Sequence, residues 1–394
     1  MKRLLAMLLC LILAVSMLTA CGDDDDDKDS KKTVKIESVE DALDALSDED
    51  LSTGSVTIAY EIEEGDSKLK AEIYTAVNGE DMSFGLSFEG DVEGTDLDVD
   101  APELLIIKDG SLFVNLGAIA EIGVENADVD LSDYDIDTKD LAWFEIPLPD
   151  DLELTAKGNE KIQDAFLDLA KDLIACGDED GTTVTFDKAD QLKKAVEVLA
   201  DFMEKDFADL LEDALKDGGD LSELLDIDVN KYVKKLIDFY YDDICKVCTA
   251  LGVDTEAVDT YIDQIESMDL QEYYDEYLEQ LESMDSDELL DELDTEDAVA
   301  ELREAAEELD DSEEFSFEFS ADVSGSVYSF DAELEAEITD EETNESTDGT
   351  LKMSVDFDAS KPSIKAPADT CRIGDFADSL SSLLSLLMYS SIDY

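Results

Sequence analysis

Hydrophobic and polar residues alternate with a period of two in the first third of the chain, and this pattern predicts β-strands. Three runs, at 56–62, 69–75 and 82–88, each place apolar side chains on one face and polar side chains on the other. Two further short strands flank the dipeptide Asp109–Gly110, which favours a tight hairpin. The pattern therefore predicts an antiparallel meander over about 55–117.

The same alternation returns over about 313–358 and predicts a second group of strands. Between the two groups, from about 159 to 309, apolar residues recur every three or four positions, which is typical of amphipathic helices. A last helical pattern covers about 375–389. Because an antiparallel sheet with one apolar face must be covered, we expect an α+β fold: a curved antiparallel sheet, or half-barrel, with a large helical insertion packed on its apolar face.

The first 20 residues carry, in order, the three parts of a lipoprotein signal peptide. Lys2 and Arg3 precede an apolar run from Leu4 to Leu18, and Leu18–Cys21 forms a lipobox. The apolar run is shorter than the roughly 20 residues that a membrane-spanning helix needs. The resemblance to bacterial lipoproteins implies that the Cys21 thiol receives a diacylglycerol and becomes the first residue of the mature chain, anchoring it to the membrane.

The residues after Cys21 are almost all charged, with five consecutive aspartates at 23–27. We therefore expect residues 21–37 to comprise a lipidated cysteine followed by an acidic, disordered tether. Residues 38–394 are expected to form the folded body. A signal peptide and lipid anchor predict an extracytoplasmic position on the cell membrane. The glycine at position 22 favours a Gram-positive cell surface.

The charge of the chain excludes several classes of function. There are 108 Asp and Glu residues against 27 Lys and Arg, giving a formal net charge of −81, and there is no histidine. Nucleic acid binding needs clustered basic residues, and histidine-based catalysis or imidazole metal sites need a residue type that is missing. The aspartates at 128–137 lack the glycine and the final glutamate of an EF-hand loop. We expect no catalytic residues, no enzyme activity, no cofactor and no preformed metal site, with weak cation binding at most.

Four cysteines remain in the body, at Cys176, Cys245, Cys248 and Cys371. An even number outside the cytoplasm favours disulfide bonds, with three possible connectivities. We favour bridges from Cys245 and Cys248 to the segments that carry Cys176 and Cys371. A redox pair, which would need the N-terminus of a helix, and a four-cysteine zinc site are the alternatives.

The order of lipobox, acidic tether, amphipathic meander ending in the hairpin Leu104–Leu116, helical region and returning strands resembles the half-barrel lipoproteins grouped with the LolA and LppX carriers. The resemblance covers most of the mature chain, although the helical region is longer than a simple lid. It implies that a hydrophobic small ligand or lipid binds between the sheet and the helices. Candidate cavity residues on the apolar face are Phe84, Phe88, Phe317 and Phe330.

The sequence thus predicts one of two roles for a membrane-anchored protein. The first is binding of a hydrophobic ligand in an apolar cavity of a few hundred cubic ångström. The alternative is an acidic surface interaction or spacer protein, with a solid core and weak divalent-cation binding through its exterior.

Overall fold

A computed structural model shows the architecture of the body. It describes residues 35–47, 49, 53–64, 67–92, 95–119, 143–149, 160–207, 227–275, 299–300, 302–303, 315–339, 346–372 and 374. The predicted signal peptide, Cys21, most of the predicted tether, the aspartate run at 128–137 and the helix predicted over 375–389 lie outside these residues.

The described strands form one open, twelve-stranded sheet. They are β1 (Thr53–Glu64), β2 (Ser67–Asn78), β3 (Asp81–Val92), β4 (Thr95–Lys108), β5 (Ser111–Asn115), β6 (Trp143–Pro147), β7 (Asp178–Asp180), β8 (Thr183–Phe186), β9 (Phe315–Ser324), β10 (Val327–Thr339), β11 (Ser346–Asp358) and β12 (Thr370–Cys371). Their spatial order is β12-β6-β5-β4-β3-β2-β1-β11-β10-β9-β8-β7. The predicted α+β class and the large antiparallel sheet are confirmed.

The two groups of predicted strands meet at the centre of the sheet. β1 pairs with β2 on one side and with β11 on the other, and Ile58 lies opposite both Ile73 and Val355. All neighbouring strands are antiparallel except β12 and β6, which pair in parallel over two residues. The alternating apolar and polar side chains of each strand therefore line up with those of its neighbours. The sheet as a whole has one apolar and one polar face.

Two local features follow from glycine at special positions. The β4–β5 turn has Asp109 at φ 52° and Gly110 at φ 76°, the positive values that a type I′ hairpin requires. Between β3 and β4 the register shifts at Gly85, where a Cβ atom would lie 1.9 Å from the carbonyl oxygen of Pro102. Only glycine allows the two backbones to approach this closely at the bulge.

Five α-helices have described bounds, and a π-helix, Met203–Phe207, follows the third of them. They are α1 (Val39–Ser47), α2 (Glu160–Ile174), α3 (Ala189–Phe202), α4 (Val229–Ala250) and α5 (Thr255–Glu266). The last four occur between β6 and β9, in the part of the sequence where helices are predicted. The β7–β8 hairpin lies among them and extends the edge of the sheet through pairing of β8 with β9.

Helices α1, α2 and α3 share a hydrophobic core with the apolar face of β8–β11. Leu43 on α1 and Val196 on α3 are completely buried, and Phe357 on β11 is 1% exposed. The Phe317 ring lies 5.2 Å from that of Phe186 between ring centroids. Aromatic and aliphatic side chains thus occupy the space between the helices and this half of the sheet.

Helix α4 packs against the opposite end of the sheet. The Tyr240 ring stacks on Phe144 of β6 at 6.0 Å, and its hydroxyl donates to the Glu145 carbonyl. Arg372, after β12, stacks over the Phe239 ring and pairs with the buried Asp243 carboxylate, Nε to Oδ2, at 3.0 Å. Burial raises the pKa of Tyr240 to about 12. Among the helices that the structure describes, none has both the length and the apolar character of a membrane span.

Candidate functional site

A hollow of about 650 Å³ lies on the polar face of the sheet. Residues of seven neighbouring strands, β4, β3, β2, β1, β11, β10 and β9, line it. Strands are about 4.8 Å apart, so seven of them in a flat sheet would extend over about 29 Å. Both outer strands, β4 and β9, contribute residues to the same hollow.

The strand register explains why space is left at this position. One row of side chains crosses the seven strands and forms what we call the floor row. Its members are Asp100, Ser87, Glu72, Ala59, Ser354, Asp331 and Ser320. Four of the seven are alanine or serine, and these small side chains leave room between the three carboxylates.

The adjacent row contains four glutamates and both lysines that line the hollow: Glu61, Glu89, Glu318, Glu333, Lys70 and Lys352. Lys352 on β11 pairs with Glu333 on β10, Nζ to Oε1, at 2.5 Å. Lys68 on β2 pairs with Glu61 on β1, and this hydrogen bond lowers the pKa of the Glu61 carboxyl. Lys70 lies 4.0 Å from the same glutamate. The lysines at the hollow are therefore already engaged by glutamates on neighbouring strands.

The floor row adds three carboxylates and no lysine to the hollow. Seven carboxylates and two lysines line the hollow. Within the described part of the chain, Glu72, Asp100 and Asp331 have no ion-pair partner. All three side chains are exposed, and desolvation, followed by the carboxylates of Asp356 and Asp322, raises the pKa of Asp331. Such a concave, carboxylate-lined surface attracts cations.

Replacing Asp331 by asparagine is expected to stabilise the protein at pH 7 but not at pH 3. A raised carboxyl pKa means that the native state binds this proton more tightly than the unfolded chain does. The wild type therefore loses stability as the pH rises above the ordinary aspartate pKa and through the native one. Asparagine carries no charge and avoids this loss. Urea denaturation at the two pH values measures the difference.

A matched control is Glu179→Gln, which removes an exposed carboxylate from β7, a strand that does not line the hollow. We expect its effect on the urea midpoint to be the same at both pH values. An Asp331→Asn midpoint equal to that of the wild type at pH 7 would contradict the prediction.

The structure does not bring the four predicted phenylalanines around one cavity. Phe88 is among the residues that line the hollow, and Phe84 is half-buried on the same strand. Phe317 and Phe330 are 6% and 3% exposed in the packed core with α1–α3. The floor row was not predicted, since its small residues come together only through the pairing of strands that are distant in sequence.

The four predicted disulfide candidates are thiols in the structure, and the bridges expected from the sequence are not formed. Cys176 follows α2 and packs against the core of α1–α3. Cys245 and Cys248 lie one turn apart on α4, at the β6 end of the sheet, and Cys371 is in β12. Most of the sheet separates Cys176 from α4, which explains why the predicted connection is not made.

The described residues contain no preformed metal-binding site. No group of three or more Cys, Asp or Glu side chains there converges on a point where a metal ion could bind. The carboxylates of the floor row are instead distributed across several strands, so they can contact separate positive groups of one ligand.

Known proteins provide no guide to the ligand of this hollow. Comparisons with protein-family models, with curated proteins and with solved structures give no match. The function is therefore inferred from the shape, the charge and the strand register of the hollow.

Proposed function

We propose that this protein is a lipid-anchored, extracytoplasmic binding protein without enzyme activity. Its curved sheet acts as a half-barrel with helices packed on the outer, apolar face. Its inner, polar face binds a hydrophilic ligand with two or more positive charges. The observation that carries this proposal is the 650 Å³ hollow with its excess of carboxylates over lysines.

The spacing of the carboxylates favours an elongated ligand. Asp331 on β10 and Glu72 on β2 are three strands apart in the sheet, or about 14 Å measured along it. Asp100 lies two strands beyond Glu72. A linear polyamine can place two ammonium groups about 14 Å apart, and each exposed ion pair that it forms contributes about 0.2–1 kcal/mol. We therefore propose a polyamine-like cation as the ligand class.

The apolar-ligand hypothesis has less support from the geometry. Two of its four candidate residues, Phe317 and Phe330, contact other core side chains rather than a hollow. The alternative role, an acidic spacer with a solid core, is favoured by the same tight packing between the helices and β8–β11. The spacer does not account for a concave polar surface with small residues at its centre.

The anchor remains a proposal that rests on the lipobox at Leu18–Cys21. We expect protein isolated from membranes to begin at Cys21 and to carry a diacylglyceryl group, because the signal peptide is removed at the modified cysteine. Mass spectrometry of the intact protein measures this directly. Cys21→Ser is the control and is expected to retain residues 1–20 without added lipid. An unmodified Cys21 in the membrane-isolated protein would contradict the proposal.

Calorimetric titration distinguishes the proposed ligand class from the apolar one. We expect the purified full chain to bind spermine with one saturable site at 0.15 M salt, where long-range attraction is screened over about 8 Å. Palmitate is the comparison ligand, and we expect no saturable heat from it. Saturable palmitate binding together with no spermine site would overturn the proposal. Weak binding of both, without saturation, would favour the spacer.

A further inference from the structure

The α4–α5 hairpin exposes apolar side chains that the hollow does not involve. Tyr261, Met268 and Tyr273 are 65%, 53% and 70% exposed. With neighbouring residues they form what we call the apolar stripe. Its members are Leu251, Val253, Tyr261, Ile265, Met268 and Tyr273. An exposed group of large apolar residues of this kind is typical of an interaction surface.

The α4–α5 hairpin is held by contacts between its helices. Val258 on α5 is buried, and the Tyr241 hydroxyl on α4 donates to Asp259 at 2.7 Å. Tyr261 and Ile265 lie one turn apart on one side of α5, and Met268 follows in the turn after the helix. The hairpin therefore presents exposed apolar side chains on α5 and in the segments just before and after it.

The charge around the stripe defines its partner. Residues 251–275 contain eight aspartates and glutamates and no lysine or arginine. A partner that covers the stripe must supply apolar side chains at helical spacing and positive charges on both sides of them. We infer that the apolar stripe is a docking surface for a basic amphipathic helix of another protein, as in other helix-in-groove complexes.

Other occupants match the surface less well. A second copy of the hairpin would bring eight further carboxylates against the first eight. The segment 375–389 of this chain contains two aspartates and no basic residue. An anionic membrane surface would also repel the hairpin. A basic helix is the one of these occupants that satisfies both the apolar and the charged groups.

Fluorescence anisotropy with a labelled, 18-residue leucine–lysine amphipathic helix tests the inference on the full chain at 0.15 M salt. A peptide with the same composition in scrambled order is the control for charge alone. We expect the amphipathic peptide to bind at least tenfold more tightly than the scrambled one. The combined variant Tyr261→Ser, Ile265→Ser, Met268→Ser is expected to remove this difference.

A second variant separates this inference from the proposed ligand site. Glu72→Gln, Asp100→Asn, Asp331→Asn changes the floor row and is expected to leave the tenfold preference unchanged. Equal affinity for both peptides, or an unchanged preference in the serine variant, would overturn the inference. So would a wild-type dimer that the serine variant dissociates, which would make a second copy the occupant. A tenfold gain in affinity on removal of 375–394 would assign the surface to that segment instead.

Discussion

Neutralising the three carboxylates of the floor row is expected to weaken spermine binding about tenfold. The variant is Glu72→Gln, Asp100→Asn, Asp331→Asn, and each substitution keeps the shape of the side chain. The three side chains are exposed, and an exposed ion pair contributes about 0.2–1 kcal/mol, while a tenfold change in affinity corresponds to about 1.4 kcal/mol. The loss of two or three such contacts therefore amounts to about one factor of ten.

The control for this prediction removes the same number of charges elsewhere. Glu256→Gln, Asp263→Asn, Asp269→Asn lies on and beside α5, which does not line the hollow. If the hollow is the site, this variant changes spermine affinity by less than about threefold, through long-range attraction alone. Equal losses in the two variants would show that spermine responds to net charge and not to a defined site. Calorimetric titration of both variants provides the comparison.

Replacing Phe357 by alanine is expected to lower the free energy of unfolding by about 3–5 kcal/mol. The side chain is 1% exposed at the centre of the sheet, on β11 between β1 and β10. Its ring lies 6.3 Å from that of Tyr328 between centroids. Truncation to alanine would leave a cavity bounded by strands that pair along their length and cannot collapse into it.

Urea denaturation of the full chain measures this loss. The control is Ile265→Ala, which truncates a side chain that is 40% exposed on α5, and we expect it to change stability by less than about 0.5 kcal/mol. A Phe357→Ala effect as small as that of the control would mean that the core between β8–β11 and α1–α3 is not the main source of stability.

Alternation along the chain was sufficient to predict most of the sheet. The runs at 56–62, 69–75 and 82–88 all lie within observed strands, and the Asp109–Gly110 turn has the backbone angles that its sequence favours. β6 was not predicted because Trp143–Pro147 is short and has only one polar residue to mark an alternation. A pairing with β5 defines it as a strand.

The candidate site could not be predicted in the same way. A period of two shows which side chains share a face, but it does not show on which face a hollow forms. Ala59 and Ser354 are nearly 300 positions apart in the chain and become neighbours only through the register of β1 with β11. The sequence therefore directed attention to the phenylalanines of the apolar face, whereas the hollow formed on the polar one.

The disulfide connectivity of the four cysteines could not be predicted from the sequence either. Their number and compartment favour bridges, but a bridge also requires two Cα atoms within about 7 Å. Cys176 packs with the core at one end of the sheet and Cys245 lies on α4 at the other. Sequence spacing contains no information on this separation.

The location of a bound polyamine tests the central claim most directly. Spermine labelled with a nitroxide broadens the NMR signals of amides near its binding site. The account predicts stronger broadening at Ala59, Ser354 and Asp331 than at Val258 on α5, a helix that does not line the hollow. Broadening that is confined to α5, or that spreads evenly over the acidic exterior while the floor-row amides remain sharp, would contradict it.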